Sequence, residues 1–249
     1  MKNQNYPLYQ VEKTNDLKEM VEQIAEKYKE ASAFIYEQGE EKINISYQQF
    51  KLDVDTFGMT LLNLGIQNEK VALIGENSYE WILTYFSVIN TGNVIVPLDR
   101  ELPIGQIDTI LVDCGATTLI FSSAYADVAE NLRSSNVQIQ HFINLDTIPE
   151  LLKNTELTIR SGKERLIHYK IDHTALAAIL YTSGTTGRSK GVMLSHKNLA
   201  FNATRACQNI SFSCSSLLVL PLHHSFAFTA GVLIMLLSGT SMDYLNMSN

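Results

Sequence analysis

Short, largely apolar runs, each with at least one β-branched residue, recur along this chain, at 71–74, 94–96, 119–121, 141–143 and 176–180, and segments with helical spacing stand between them. A strand that is apolar at every position has to be covered on both faces. Strand and helix in alternation therefore predict an α/β fold of mostly parallel sheets, flanked by helices in layers. Local signals agree with that pattern. Asp16 and Glu19 have capping-box spacing at the head of a helix carrying Leu17, Met20, Val21, Ile24 and Tyr28. Ser46 with Gln49 caps a helix behind a strand at 43–45. Asn77 with Glu80 caps another, whose Trp81, Tyr85, Val88 and Ile89 turn inward. Pro97 ends the strand at 94–96, and Pro103 suits the first turn of the next helix.

With 249 residues, 45% of them hydrophobic, the chain can bury a substantial core as one large α/β domain or two smaller ones. Its net charge of −7 and the lack of a basic stripe argue against nucleic acid as a partner. Cys114, Cys207 and Cys214 form no C-x-x-C pair, so neither a disulfide framework nor a zinc site is indicated, and a reducing cytoplasm is the expected compartment. The start, Met1-Lys2-Asn3-Gln4, leads into no apolar signal-peptide core, and secretion is not expected. Residues 217–238 are apolar over about the length of a bilayer span, but Pro221, His223, His224 and Ser225 interrupt them. The expectation is a buried strand at 217–220, a polar turn and a buried helix at 227–237, with no transmembrane segment. A further helix is expected at 198–207. Residues 153–175 are polar and weakly periodic, which suggests a division into a first α/β layer at 1–152, a crossing, and a further part at 176–249.

Residues 181–196, YTSGTTGRSKGVMLSH, follow the last of the apolar strands. Glycine lets the main chain approach an anion closely, so that several N–H groups can point at the same oxygens. Thr182, Ser183, Thr185 and Thr186 add hydroxyl donors, and Lys190 or Arg188 can neutralise charge. A Gly/Ser/Thr cluster is most often a solvated turn, but the length of this run, its place behind a strand and its embedded cations favour a phosphate grip. It is not a Walker loop, which starting at Gly184 would need glycine where Ser189 stands. Nor is it G-x-G-x-x-G, since the glycines fall at 184, 187 and 191.

The run resembles the phosphate-binding signature of the adenylate-forming enzymes, [YF]-T-S-G-[ST]-T-G-x-P-K-G-[VA]-x-x-[ST]-H. It departs only at Ser189, where the family usually has proline. The segment at 91–99, TGNVIVPLD, is similar to the family's earlier GxxxVPLxP element, with Arg100 near its second proline. Asp99 is expected to end the strand and cap the next turn rather than to act in chemistry.

The resemblance implies attack by a carboxylate on the α-phosphorus of ATP, giving an acyl-adenylate and pyrophosphate. Two anions must be held in line, which demands positive charge and directed donors. It implies Thr182, Ser183, Gly184, Thr185, Thr186, Gly187 and Lys190 as nucleotide contacts, with Lys190 countering charge on the leaving pyrophosphate. A lone histidine in apolar surroundings is usually a hydrogen-bonded core residue. His223 and His224, however, stand as a pair after an expected strand, and open α/β sheets bind ligands at the carboxyl ends of their strands. The segment is similar to the family's aromatic-and-histidine element, which assigns His224 the role of orienting the carboxylate. Amino-acid-activating members commonly carry an aspartate in this region to pair with the substrate's ammonium. Here His223, His224, Ser225 and Phe226 include no acid, and an unpaired buried ammonium is costly. A fatty or aryl acid is the expected substrate, with His224, Phe226 and Ala227 near it, Phe228 beside an apolar pocket, and coenzyme A as the acceptor.

Members of this family run considerably longer. The glutamate that serves magnesium, the aspartate that holds ribose, the hinge and the C-terminal lid with its catalytic lysine have no counterpart here, and 242–246 is not expected to form a clean strand. The chain is thus expected to be the N-terminal part of an ATP-dependent acid–thiol ligase, an acyl-CoA synthetase of fatty acid metabolism, with little activity alone. The alternatives are an amino-acid-activating domain and a non-catalytic nucleotide-binding scaffold.

Overall fold

Helix α1 (Leu17–Tyr28) begins at Asp16, whose carboxylate accepts the Glu19 N–H at 2.8 Å, while the Glu19 carboxylate accepts the Asn15 N–H at 2.8 Å. The expected box therefore forms with its return bond one residue early. A computed structural model describes residues 11–155, 169–182, 189–209 and 215–244. The chain divides into two compact units, one of Met1–Lys51 with His196–Asn249 and one of Leu52–Ser195.

In the first unit a four-stranded sheet has the order β2-β1-β10-β9, made of β1 (Ser32–Gln38), β2 (Glu41–Ser46), β9 (Ser216–Leu217) and β10 (Met242–Tyr244). β1 and β2 form an antiparallel hairpin, whereas β10 runs parallel to both β1 and β9. Helices α1, α7 (His196–Asn209) and α9 (Ile234–Ser238) pack on one another, burying Leu17, Met20, Val21, Leu199, Ala203 and Leu236. The Tyr28 hydroxyl donates to the Leu237 carbonyl at 2.8 Å, and the Tyr28 ring lies where a side chain at Gly239 (φ +72) would stand.

The second unit holds a six-stranded sheet of order β6-β5-β3-β4-β7-β8. Its strands are β3 (Lys70–Ile74), β4 (Val94–Pro97), β5 (Thr118–Phe121), β6 (His141–Asn144), β7 (Leu176–Thr182) and β8 (Lys190–Ser195). All neighbours are parallel except β7 and β8. Ala72, Ile74, Val96, Leu119 and Ile179 pack with Ile107, Ile110 and Leu111 of α4 (Ile104–Cys114) and Leu132 of α5 (Ala126–Ser135). The alternate residues Val71, Leu73, Ile95 and Ile120 are equally buried and belong to the opposite face. Helix α3 (Tyr79–Asn90) is buried at nearly every position. The unit also contains α6 (Ile148–Thr155), and α2 (Tyr47–Asn63) crosses the boundary between the units.

Several elements differ from the sequence expectation. The cap of α3 is Ser78, not Asn77, because the Ser78 hydroxyl accepts the Trp81 N–H at 3.1 Å. Residues 190–195, read as the tail of a loop, form β8. β9 is shorter than the strand expected at 217–220. Met242–Tyr244, judged unsuited to a strand, lies between β1 and β9 with Met242 and Tyr244 buried and the Tyr244 ring stacked on Tyr36 at 4.8 Å. β7, which follows the polar stretch at 153–175, joins the same sheet as the strands before that stretch. Among the described residues no helix is long and apolar enough to cross a membrane.

Candidate functional site

The signature run is anchored by strand pairing. Thr182, the last residue of β7, lies opposite Lys190, the first of β8, so the two ends of the run expected to grip phosphate are neighbours. Both are exposed. β7 is parallel to β4, which puts Thr182 at the carboxyl end of a parallel strand, where open α/β sheets present ligand-binding groups. The pair offers a hydroxyl and a flexible ammonium, a donor set suited to phosphate oxygens. Ser183, Gly184, Thr185, Thr186 and Gly187 lie outside the described residues.

One residue inward, Tyr181 faces Gly191. A Cβ at 191 would stand 2.8 Å from Ile179 Cγ2 and 3.2 Å from Tyr181 Cζ, so this glycine is required by the side chains across the pair. The Tyr181 hydroxyl donates to Asp113 of α4. Burial, followed by that hydrogen bond to a carboxylate, pushes the phenol well above its ordinary value. Sequence reading missed Asp113, because the contact spans 68 residues and no local spacing signals it.

The histidine segment belongs to the other unit. Beyond β9 the chain turns, with the His224 N–H donating to the Pro221 carbonyl at 3.2 Å, and His224 caps the short helix α8 (Ser225–Phe228) with its own carbonyl accepting the Phe228 N–H at 3.0 Å. The His223 and His224 rings are 4.1 Å apart and tilted by 52°. The His223 Nε2 is buried, whereas His224 is exposed. Phe226 is 73% exposed, in contrast to Ala227 and Phe228, which are buried. Of the expected substrate residues, His224 and Phe226 are thus open to a ligand, and the Ala227 methyl is in the core. Leu217, Val219 and Leu220 are also at least half exposed, so His224 stands in a segment rich in accessible apolar surface. A π-helical turn, Thr229–Leu233, joins α8 to α9.

Asp99 accepts the Glu101 N–H at 2.9 Å, the turn-capping geometry expected of it. Among the described residues no group of three or more His, Cys, Asp or Glu is arranged to hold a metal ion.

A family model described as AMP-binding enzyme matches residues 21–248. The chain is similar to Tyrocidine synthase 1 of Brevibacillus parabrevis, with 30% identity over 232 residues that cover 92% of this chain and 20% of that protein. It is 28% identical to a CoA ligase of Gibberella moniliformis over 189 residues, covering 72% of this chain and 29% of the relative. Among solved structures, ATP-bound MatB of Rhodopseudomonas palustris shares the fold with a TM-score of 0.75 and 24% identity, over 91% of this chain and 44% of that one. The chain therefore spans less than a third of the length of these two curated relatives.

Proposed function

The chain belongs to the AMP-binding enzyme family, an adenylate-forming family, and from that premise we propose that it carries the phosphate-gripping and acid-orienting parts of an ATP-dependent acyl-activating ligase. The main support is the pairing of Thr182 with Lys190 at the carboxyl end of β7, inside a run that fits the family signature at every defined position but one. In this reading the run from Thr182 through Ser183, Gly184, Thr185, Thr186 and Gly187 to Lys190 holds the β- and γ-phosphates of ATP. Lys190 offsets the charge that builds on pyrophosphate as it leaves. A preorganised donor of this kind contributes on the order of a hundredfold in rate.

The other substrate is a carboxylic acid with an apolar body, oriented by the exposed His224. The accessible Phe226, Val219 and Leu220, and the lack of an acid among residues 220–228, favour a fatty or aryl acid over one bearing an ammonium. Passage of the acyl group to coenzyme A completes the reaction, with magnesium neutralising the triphosphate through a glutamate that has no counterpart in this sequence. The buried, unpaired thiols of Cys114 and Cys207 suit a reducing cytoplasm.

A second reading, activation of an amino acid, is supported by the 30% identity to Tyrocidine synthase 1, a synthase rather than a CoA ligase by name. Pyrophosphate exchange by the whole protein, with a panel of acids with and without an α-amino group, separates the two. Calorimetry of this chain with ATP tests the phosphate grip itself: Lys190→Ala is expected to weaken binding at least about tenfold. Equal affinity in the variant would leave only a scaffold.

A further inference from the structure

Tyr181, Gly191 and Asp113 are three residues to which the phosphate grip assigns no contact, yet they meet at the base of the run that carries it. Tyr181 adjoins Thr182 in β7, and Gly191 adjoins Lys190 in β8. The two are directly paired, and the missing side chain at 191 is what admits the Tyr181 ring. From there the phenol reaches Asp113 in the last turn of α4, a helix fixed against the sheet by Ile107, Ile110 and Leu111. β8 is an edge strand, exposed from Lys190 to Met193, so strand pairing holds it on one side only. Its partner β7 is paired on both sides and gains a third attachment through the Tyr181 phenol to a packed helix, so the strand that carries β8 is restrained against twist.

The geometry points to Tyr181 and Asp113 as positioning residues that, through the β7–β8 pair, fix the direction of Lys190 toward the nucleotide phosphates, an assignment that rests on the phosphate-grip reading above. Neither touches ATP. Their effect passes through Lys190, so it disappears when Lys190 is removed, which a general loss of stability would not reproduce.

The test is calorimetry of ATP binding to the full chain. Tyr181→Phe, which keeps the ring and removes the donated hydrogen bond, is expected to weaken binding about five- to tenfold, and Asp113→Ala should match it. Asp113→Asn, which keeps an acceptor, is expected to stay within about twofold of wild type. In a Lys190→Ala background, Tyr181→Phe is expected to add less than about twofold. Should Tyr181→Phe lose its cooperative thermal transition, Asp113→Ala carries the measurement with β7 unaltered. Unchanged affinity in Tyr181→Phe, or losses that simply add to those of Lys190→Ala, overturns the assignment while leaving the phosphate grip intact. A wild-type chain that binds no ATP overturns the grip and the positioning role together.

Discussion

Glu80 shows how two opposing effects on one carboxyl are decided by magnitude. It stands in the first turn of α3, where the helix dipole favours a negative charge by about 0.3–1 kcal/mol. Burial nevertheless wins and raises its pKa above the ordinary 4.5, against hydrogen bonds from its own backbone and Ser78, with Asp146 adding repulsion. Since the folded value is above the unfolded one, the protonated carboxyl is the form that folding favours. Its contribution is complete below about pH 4.5 and is lost as pH rises through the folded value. Glu80→Gln keeps the shape without the charge. The variant is expected to melt a few degrees above wild type at pH 7 and to lose that advantage near pH 4. Thermal scans at the two pH values check this, and equal melting at pH 7 would show that the dipole and hydrogen bonds offset burial in full.

At the scale of elements, the first turn of α3 is capped by Ser78. The Ser78 hydroxyl satisfies the Trp81 N–H, and the helix behind it buries Trp81, Tyr85 and Phe86. Ser78→Ala is expected to cost about 1 kcal/mol, read as a lower urea midpoint with unchanged slope. Asn77→Ala should cost less, which would separate the observed cap from the one that spacing suggested. The misplacement by one residue is instructive, because Asn77 and Ser78 are both good caps and only the register of the first turn chooses between them. Strands β3, β4 and β5 were legible, since burial on both faces leaves an unbroken apolar run. β8 and β10 were not. Lys190-Gly191 opens β8 with no apolar signal, and Asp243 interrupts β10, so each is fixed by its pairing with a partner strand and not by a signal of its own. β1 was missed too, although Ala33-Phe34-Ile35-Tyr36 ahead of a Gly-containing turn is a readable hairpin arm. At the candidate site, the hydroxyl run and the histidine pair could be read as motifs. What lay out of reach was which side chains are open: the exposure of Phe226 and the burial of adjacent Ala227 depend on the phase of a four-residue helix.

The whole molecule joins an uninterrupted unit to one made from two separated stretches. Every strand of the six-stranded sheet and the core cluster on α4 and α5 lie within Leu52–Ser195. A polypeptide from Tyr47 to Ser195, which keeps α2 whole, is therefore expected to fold alone and to unfold cooperatively in urea. A featureless, non-cooperative transition would show that this sheet needs the remainder of the chain. The other unit cannot be excised in this way, because Phe34 of β1 pairs with Met242 of β10. On the ribosome, the β1–β2 hairpin must wait for about 200 further residues to be made, on the order of 10–40 s at ordinary elongation rates. Throughout that interval one flank of the nascent hairpin has unmet backbone groups, so a chaperone that shields strand edges would have its longest opportunity there.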